Sequence, residues 1–193
     1  MRSASITRFR PTDASYSPAA VVVHWILATA MLGEIVLGWW MLGLPKAPPG
    51  LRAGWFNVHK SIGITIALLG FAWIARRLLR PVAADRELPR WQRHASKVTH
   101  ALLYLCMLVL PLSGIAGSNF TRYPVLYFGL PLPGWHHDWP AAKEWMSTVH
   151  LAAVWLLMAL VAVHVAAALW HWWRRDTVCG RMGLPPPPGL SRS

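Results

Sequence analysis

Four long runs of apolar residues, separated by shorter polar stretches, dominate this chain of 193 residues. A helix needs about 20 apolar residues to cross the hydrocarbon core of a bilayer, which is ~30 Å thick. The runs that reach this length predict membrane spans at about 18–44, 55–79, 96–117 and 144–173. We therefore expect an all-α protein, an integral membrane four-helix bundle over residues 18–175, with a tail at 1–17 and a disordered tail at 176–193.

The composition supports a membrane protein. Hydrophobic residues make up 55% of the chain and charged residues 13%, whereas charged residues form about 25% of a typical soluble domain. Too little polar surface remains for a water-soluble globule of this size. The thirteen tryptophans are typical of residues that anchor helices at the two membrane interfaces.

The positive charges indicate how the helices are oriented. The formal net charge is +12, but the Lys and Arg residues cluster between the apolar runs and form no single basic face, so we expect no nucleic-acid partner. Fourteen of them fall in the two tails and the second connection, and five in the other two connections. The excess of Lys and Arg on the cytoplasmic side of membrane proteins predicts that both termini are cytoplasmic.

Four of the nine histidines lie within the predicted spans: His24, His59, His150 and His164. Ionisable groups are costly in a membrane, so they usually face the bundle interior and mark a functional site. His150 and His164 are fourteen residues apart on one apolar helix. At 100° per residue both rings point to nearly the same side, separated by roughly 21 Å along the helix axis.

Depth in the membrane suggests how these histidines pair. His59 and His150 lie near the outer ends of their spans, and His24 and His164 lie near the cytoplasmic ends, although His171 remains an alternative to His164. Two neutral imidazoles on opposite sides of a flat ring suit haem iron. A zinc site is less expected than haem, because the four histidines lie at two depths and no carboxylates accompany them. Histidines that only hydrogen-bond between helices remain the alternative.

Five segments resemble the bacterial cytochrome b561 family, and the resemblance covers about residues 17–182. The segments are HW at 24–25, HKSIG at 59–63, HALLYLCMLVLPLSG at 100–114, FGLPLP at 128–133 and HVAAALWHWWRRDTVCGRM at 164–182. This family is similar in fold to the cytochrome b subunits of nickel hydrogenases and formate dehydrogenase.

The resemblance implies a bundle with two haem b groups, bound non-covalently because the chain has no CxxCH motif. It implies that His24 and His164 hold the cytoplasmic haem, that His59 and His150 hold the outer haem, and that His171 is not an axial ligand. Small residues that would let the ring approach the helix backbones are Gly33, Gly38 and Gly63.

The resemblance also implies a function in electron transfer. The chain is expected to be an oxidoreductase of the bacterial inner (plasma) membrane, carrying electrons between the periplasmic face and a membrane quinone such as ubiquinone. Superoxide is a further expected electron donor at the outer face, where an anion would be attracted by Arg52, Lys60, Arg122 and Lys143. Bis-histidine ligation leaves no open iron position, which disfavours oxygen binding at the iron.

Several other polar residues have weaker assignments. The candidate quinone or propionate contacts are Arg77, Lys97, His100 and His171, with lipid-headgroup anchoring as the alternative for the first two. Glu34, near the middle of the membrane, is expected to be protonated and hydrogen-bonded, with a proton path as the alternative. His94, His136 and His137 are expected to be solvated.

Two other functions compete with a self-standing electron carrier. The first is a cytochrome b anchor subunit of a membrane dehydrogenase or hydrogenase, which would need a docked partner. The second is a haem-free membrane channel or scaffold in which the histidines are structural.

Overall fold

The computed structural model describes residues 16–46, 50–79 and 88–174. Its helices are α1 (Pro18–Leu42), α2 (Leu51–Leu79), α3 (Arg90–Asn119) and α4 (Pro140–Arg174). All four are long and apolar enough to cross a membrane, which confirms the expected all-α, four-helix membrane fold. Most of the two predicted tails lies outside the described residues.

The helices begin and end for recognisable local reasons. The Ser17 hydroxyl accepts a hydrogen bond from the Ala20 amide, and Pro18 follows at the first helical position, where its missing N–H costs nothing. Gly50 has a φ of 103°, a left-handed conformation suited to glycine, immediately before α2 begins. α3 continues through Pro111.

Three helices begin four to six residues before the spans predicted from hydropathy. α2 begins at Leu51, α3 at Arg90 and α4 at Pro140, against predicted starts of 55, 96 and 144. Their first turns contain polar and aromatic residues such as Arg93 and Lys143. Hydropathy detects only the part of a helix inside the hydrocarbon, so it misses turns that extend into the interface.

Each helix packs against the next one along the chain. A buried cluster joins α1, α2 and α3 and contains Ala20, Leu27, Ile66, Trp73 and Met107. α4 packs mainly on α3, and many large apolar side chains are exposed on the outside of the bundle. An outer surface of this kind suits lipid, since only 11–22% of each helix's most apolar stretch is buried within the chain.

A short hairpin interrupts the connection between α3 and α4. Strand β1 (Leu126–Tyr127) pairs antiparallel with β2 (Leu130–Pro131). The Phe128 amide donates a 2.8 Å hydrogen bond to the Ser61 hydroxyl, and Thr65 and Tyr127 join their hydroxyls at 3.1 Å. These contacts hold the connection between α3 and α4 against α2, close to His59.

Candidate functional site

The structure brings the four histidines of the spans together as two pairs. The ring centres of His24 and His164 lie 6.2 Å apart, and those of His59 and His150 lie 6.3 Å apart. Two imidazoles on opposite sides of one metal ion, each with a metal–nitrogen bond of about 2.0 Å, would have ring centres about 6.3 Å apart. Both pairs therefore have the spacing of two axial ligands.

The backbone of α3 positions His150. Its Nδ1–H donates a 2.9 Å hydrogen bond to the Leu110 carbonyl, and the Ser113 hydroxyl lies 3.2 Å from the same nitrogen. A β-carbon placed on Gly114 would lie 3.5 Å from the His150 ring, so the glycine allows the imidazole to lie against the helix. Because Nδ1 carries the proton, the Nε2 lone pair is available to a metal.

His59 has a different environment, which is formed by residues of α1 and α2. Its Nδ1 lies 2.6 Å from Oε2 of Glu34, and a β-carbon on Gly38 would lie 3.6 Å from its Cε1 atom. The side chain of Glu34 is only 11% exposed. Sequence reasoning placed Glu34 in mid-membrane but did not associate it with a histidine.

A small cavity lies between His59 and His150. The rest of its lining comes from α2, α3 and the connection between α3 and α4, and includes Ile64, Pro111, Ile115 and Val125. Val125 is 3% exposed, so the connection covers this part of the bundle. Apart from the two histidines, Lys60 and Ser118, the lining is apolar, which suits a hydrophobic prosthetic group.

The pair formed by His24 and His164 has a third histidine beside it. The His100 ring centre lies 5.3 Å from that of His164, which is too short for two ligands on opposite sides of one metal. The His100 Nδ1–H donates a 2.7 Å hydrogen bond to the Ser96 carbonyl. His100 therefore lies beside the pair, and its Nε2 is the nitrogen left to accept a proton or a hydrogen bond.

The other candidate contacts differ in their surroundings. The Arg77 guanidinium donates through Nε to the Tyr104 hydroxyl at 3.4 Å and lies 5.2 Å above the Tyr16 ring. One of its terminal nitrogens is buried without a hydrogen-bond partner among the described residues. Lys97 is exposed and His171 is half-buried.

The remaining histidines lie away from both pairs. His94 and His137 are exposed and His136 is half-buried. Within the ranges that the structure describes, no three or more His, Cys, Asp or Glu side chains lie close enough together to hold a metal ion. Each pair offers two nitrogen donors, so a metal held there needs a bound group that supplies its other ligands. Haem does this with four ring nitrogens, and the residues present fit it.

Comparison with known proteins identifies related chains. A family model described as prokaryotic cytochrome b561 matches residues 15–183. Cytochrome b561 homolog 2 of Escherichia coli K12 is 28% identical over 172 residues, which cover 84% of this chain and 87% of the relative. Cytochrome b561 homolog 1 of the same organism is 24% identical over 183 residues, or 86% of this chain and 96% of the relative.

Proposed function

Because the chain belongs to the prokaryotic cytochrome b561 family, we propose that it transfers electrons through the membrane by means of two haem b groups. One is held by His24 and His164 and the other by His59 and His150. The family supports a multi-pass membrane b-type cytochrome in electron transfer; the number of haems and their ligands are the proposal. The observation that carries it is the pair of ring-centre distances, 6.2 and 6.3 Å.

The surrounding residues prepare the outer pair for this role. His59 and His150 would hold a haem, which would supply a one-electron couple when bound. Leu110 fixes the ring of His150 through its carbonyl. The hairpin tied to Ser61 and the buried Val125 limit the access of water from the outer side.

α4 contributes one histidine to each level. His150 and His164 are fourteen residues apart, so the two levels are separated by roughly 21 Å along the helix. The two pairs thus divide the apolar thickness of ~30 Å into shorter steps. This arrangement suits electron transfer between the membrane faces.

At the cytoplasmic end the proposed electron partner is a membrane quinone. His100, beside His164, offers Nε2 to a quinol hydroxyl, because its Nδ1–H is already bonded to Ser96. Arg77 offers a buried guanidinium nitrogen that has no partner among the described residues, suited to a propionate or a quinone oxygen. The distribution of Lys and Arg supports the further proposal that both termini are cytoplasmic and that the protein lies in the inner membrane.

Superoxide is the proposed donor at the outer face, and its support is the local positive charge. Among the outer cations, Arg122 donates a 2.6 Å hydrogen bond to Asp138, and this contact raises the pKa of Arg122. Because Asp138 neutralises Arg122 locally, Arg52, Lys60 and Lys143 contribute most to attracting an anion. Stopped-flow reduction of the haems by superoxide, compared with reduction by ubiquinol, tests the donor directly.

The ligand assignment is tested by removing one histidine from each of the two pairs. His150→Ala and His164→Ala should each lose one of two haems, measured as haem per protein and as the reduced-minus-oxidised spectrum of the purified chain. His137→Ala, in the exposed outer connection, is the matched control and should keep both. Full haem content in both ligand variants would rule out the assignment.

The same preparations distinguish a carrier from an anchor subunit. A carrier should be reduced by ubiquinol as a purified single chain. Reduction that requires a co-purifying iron–sulfur protein would instead indicate a subunit of a larger dehydrogenase or hydrogenase. The family match already argues against the haem-free channel or scaffold.

A further inference from the structure

Glu34 is a buried acid that the proposed electron path does not use. Its side chain is 11% exposed, and its Oε1 atom is buried without a hydrogen-bond partner among the described residues. A carboxylate in the hydrocarbon region is stabilised only if a donor or a cation lies beside it. The group beside Glu34 is His59, whose Nδ1 lies 2.6 Å from Oε2; the two atoms make a close polar contact outside hydrogen-bond geometry.

α1 and α2 are joined by a short connection, and they place Glu34 and His59 at the same depth in the bundle. Glu34 lies eight residues before the end of α1 at Leu42, and His59 lies eight residues after the start of α2 at Leu51. At 1.5 Å per residue, each side chain is ~12 Å from its end of the connection. The contact therefore follows from the fold and not from one chance rotamer.

Two glycines leave space for the same pair. Gly38 is one turn after Glu34, and a β-carbon there would lie 3.6 Å from the His59 ring; Gly63 is one turn after His59, and a β-carbon there would lie 3.9 Å from Glu34 Oε2. Residues four apart share a helix face. Each helix thus presents its polar residue and a glycine toward the other, so the acid and the imidazole can approach closely.

We propose that Glu34 acts as a carboxylate, not in the protonated form expected from the sequence, and is a positioning residue for His59 that lowers the reduction potential of the outer haem. The proposal rests on the assignment of His59 as an axial ligand. It makes the two ligands of the outer pair unequal, because His150 donates to the neutral Leu110 carbonyl while His59 lies against a carboxylate. No such carboxylate lies beside the other three ligand histidines in the described ranges.

The sign of the effect follows from charge. A carboxylate beside Nδ1–H polarises the imidazole and makes it a stronger electron donor through Nε2. Its negative charge also favours the oxidised form of the iron that His59 ligates. Both effects lower the reduction potential, so removing the charge should raise it.

The test compares Glu34→Gln with the wild-type protein in an optical redox titration of the purified, haem-loaded chain. Glutamine keeps the size and an oxygen acceptor but removes the charge. We expect the outer haem, identified as the one lost in His59→Ala, to become at least tenfold easier to reduce, which is about 59 mV for a one-electron couple. The cytoplasmic haem should keep its midpoint potential. Glu144→Gln, at an exposed position near the start of α4, is the matched control and should change neither.

The outcomes separate this proposal from the ligand assignment. Two unchanged midpoint potentials in Glu34→Gln with full haem content would overturn the role of Glu34, while His59→Ala still loses one haem. Full haem content in His59→Ala would instead overturn the assignment itself. If Glu34→Gln loses the outer haem, recovery of that haem in Glu34→Asp, which restores the charge, supports the proposal, and no recovery overturns it.

Discussion

Gly114 offers a sharp test of how α3 holds the outer histidine. A β-carbon at this position would lie 3.5 Å from the Cε1 and Nδ1 atoms of His150, which is ordinary van der Waals contact, so Gly114→Ala should be tolerated. Valine adds two carbons about 1.5 Å further out and has one strongly preferred rotamer in a helix. A methyl directed at the ring would lie roughly 2–2.5 Å from it, well inside contact distance.

The ring must therefore move by about 1 Å or more in Gly114→Val, while metal–ligand distances tolerate only about 0.2 Å. Overpacking of this kind costs about 1–3 kcal/mol, so the outer haem should bind roughly 5- to 150-fold more weakly. The weaker binding can be measured by diluting the purified chain and following its haem content per protein and its reduced-minus-oxidised spectrum. Gly54→Val is the matched control, since Gly54 is exposed near the start of α2 and nothing lies within 4 Å of a β-carbon there. Equal retention of both haems by the valine and alanine variants would refute the reasoning.

Two further predictions concern the packing around the site. Ser61→Ala leaves the Phe128 amide, now bonded at 2.8 Å, without its acceptor; the loss of about 1–3 kcal/mol should appear as faster hydrogen exchange at that amide. Ser147→Ala, whose hydroxyl donates to the Lys143 carbonyl within α4, should leave that exchange rate unchanged, and equal rates in all three proteins would contradict the contact. Gly70→Ala should lower the thermal midpoint, because its β-carbon would lie 3.0 Å from the Met107 side chain. Met107→Ala should relieve that clash in a double-mutant cycle, and simple additivity would argue against it.

Much of the fold could be predicted from the sequence because hydrophobic length is a direct physical requirement of the bilayer. The number and order of the helices followed from it, as did the histidines within them. The helix starts at Arg90 and Pro140 could not be predicted, because interfacial turns carry no apolar pattern. The hairpin around Phe128, held by Ser61, depends on contacts between residues 67 positions apart, which no local pattern reveals.

The candidate site was predictable in part for a similar reason. Helical periodicity related His150 to His164 on one helix, but the side-chain environments depend on neighbouring helices. Gly38 was expected to admit a macrocycle, and a β-carbon there would lie 3.6 Å from the His59 ring; Gly114, which the sequence did not single out, lies equally close to His150. Which glycine is used for close approach depends on the rotation of each helix about its axis, and this is fixed by packing.

The pairing of Glu34 with His59 shows where sequence reasoning could have gone further. Two helices joined by a short turn have equal depth at equal distance from that turn, so the match of eight residues on each side follows from the helix bounds alone. A lone acid in a span is costly, and the cost falls most if its partner is a donor at that depth on the next helix. In other pairs of membrane helices joined by a short turn, an acid is therefore expected to lie beside a histidine that is equally many residues away from the turn.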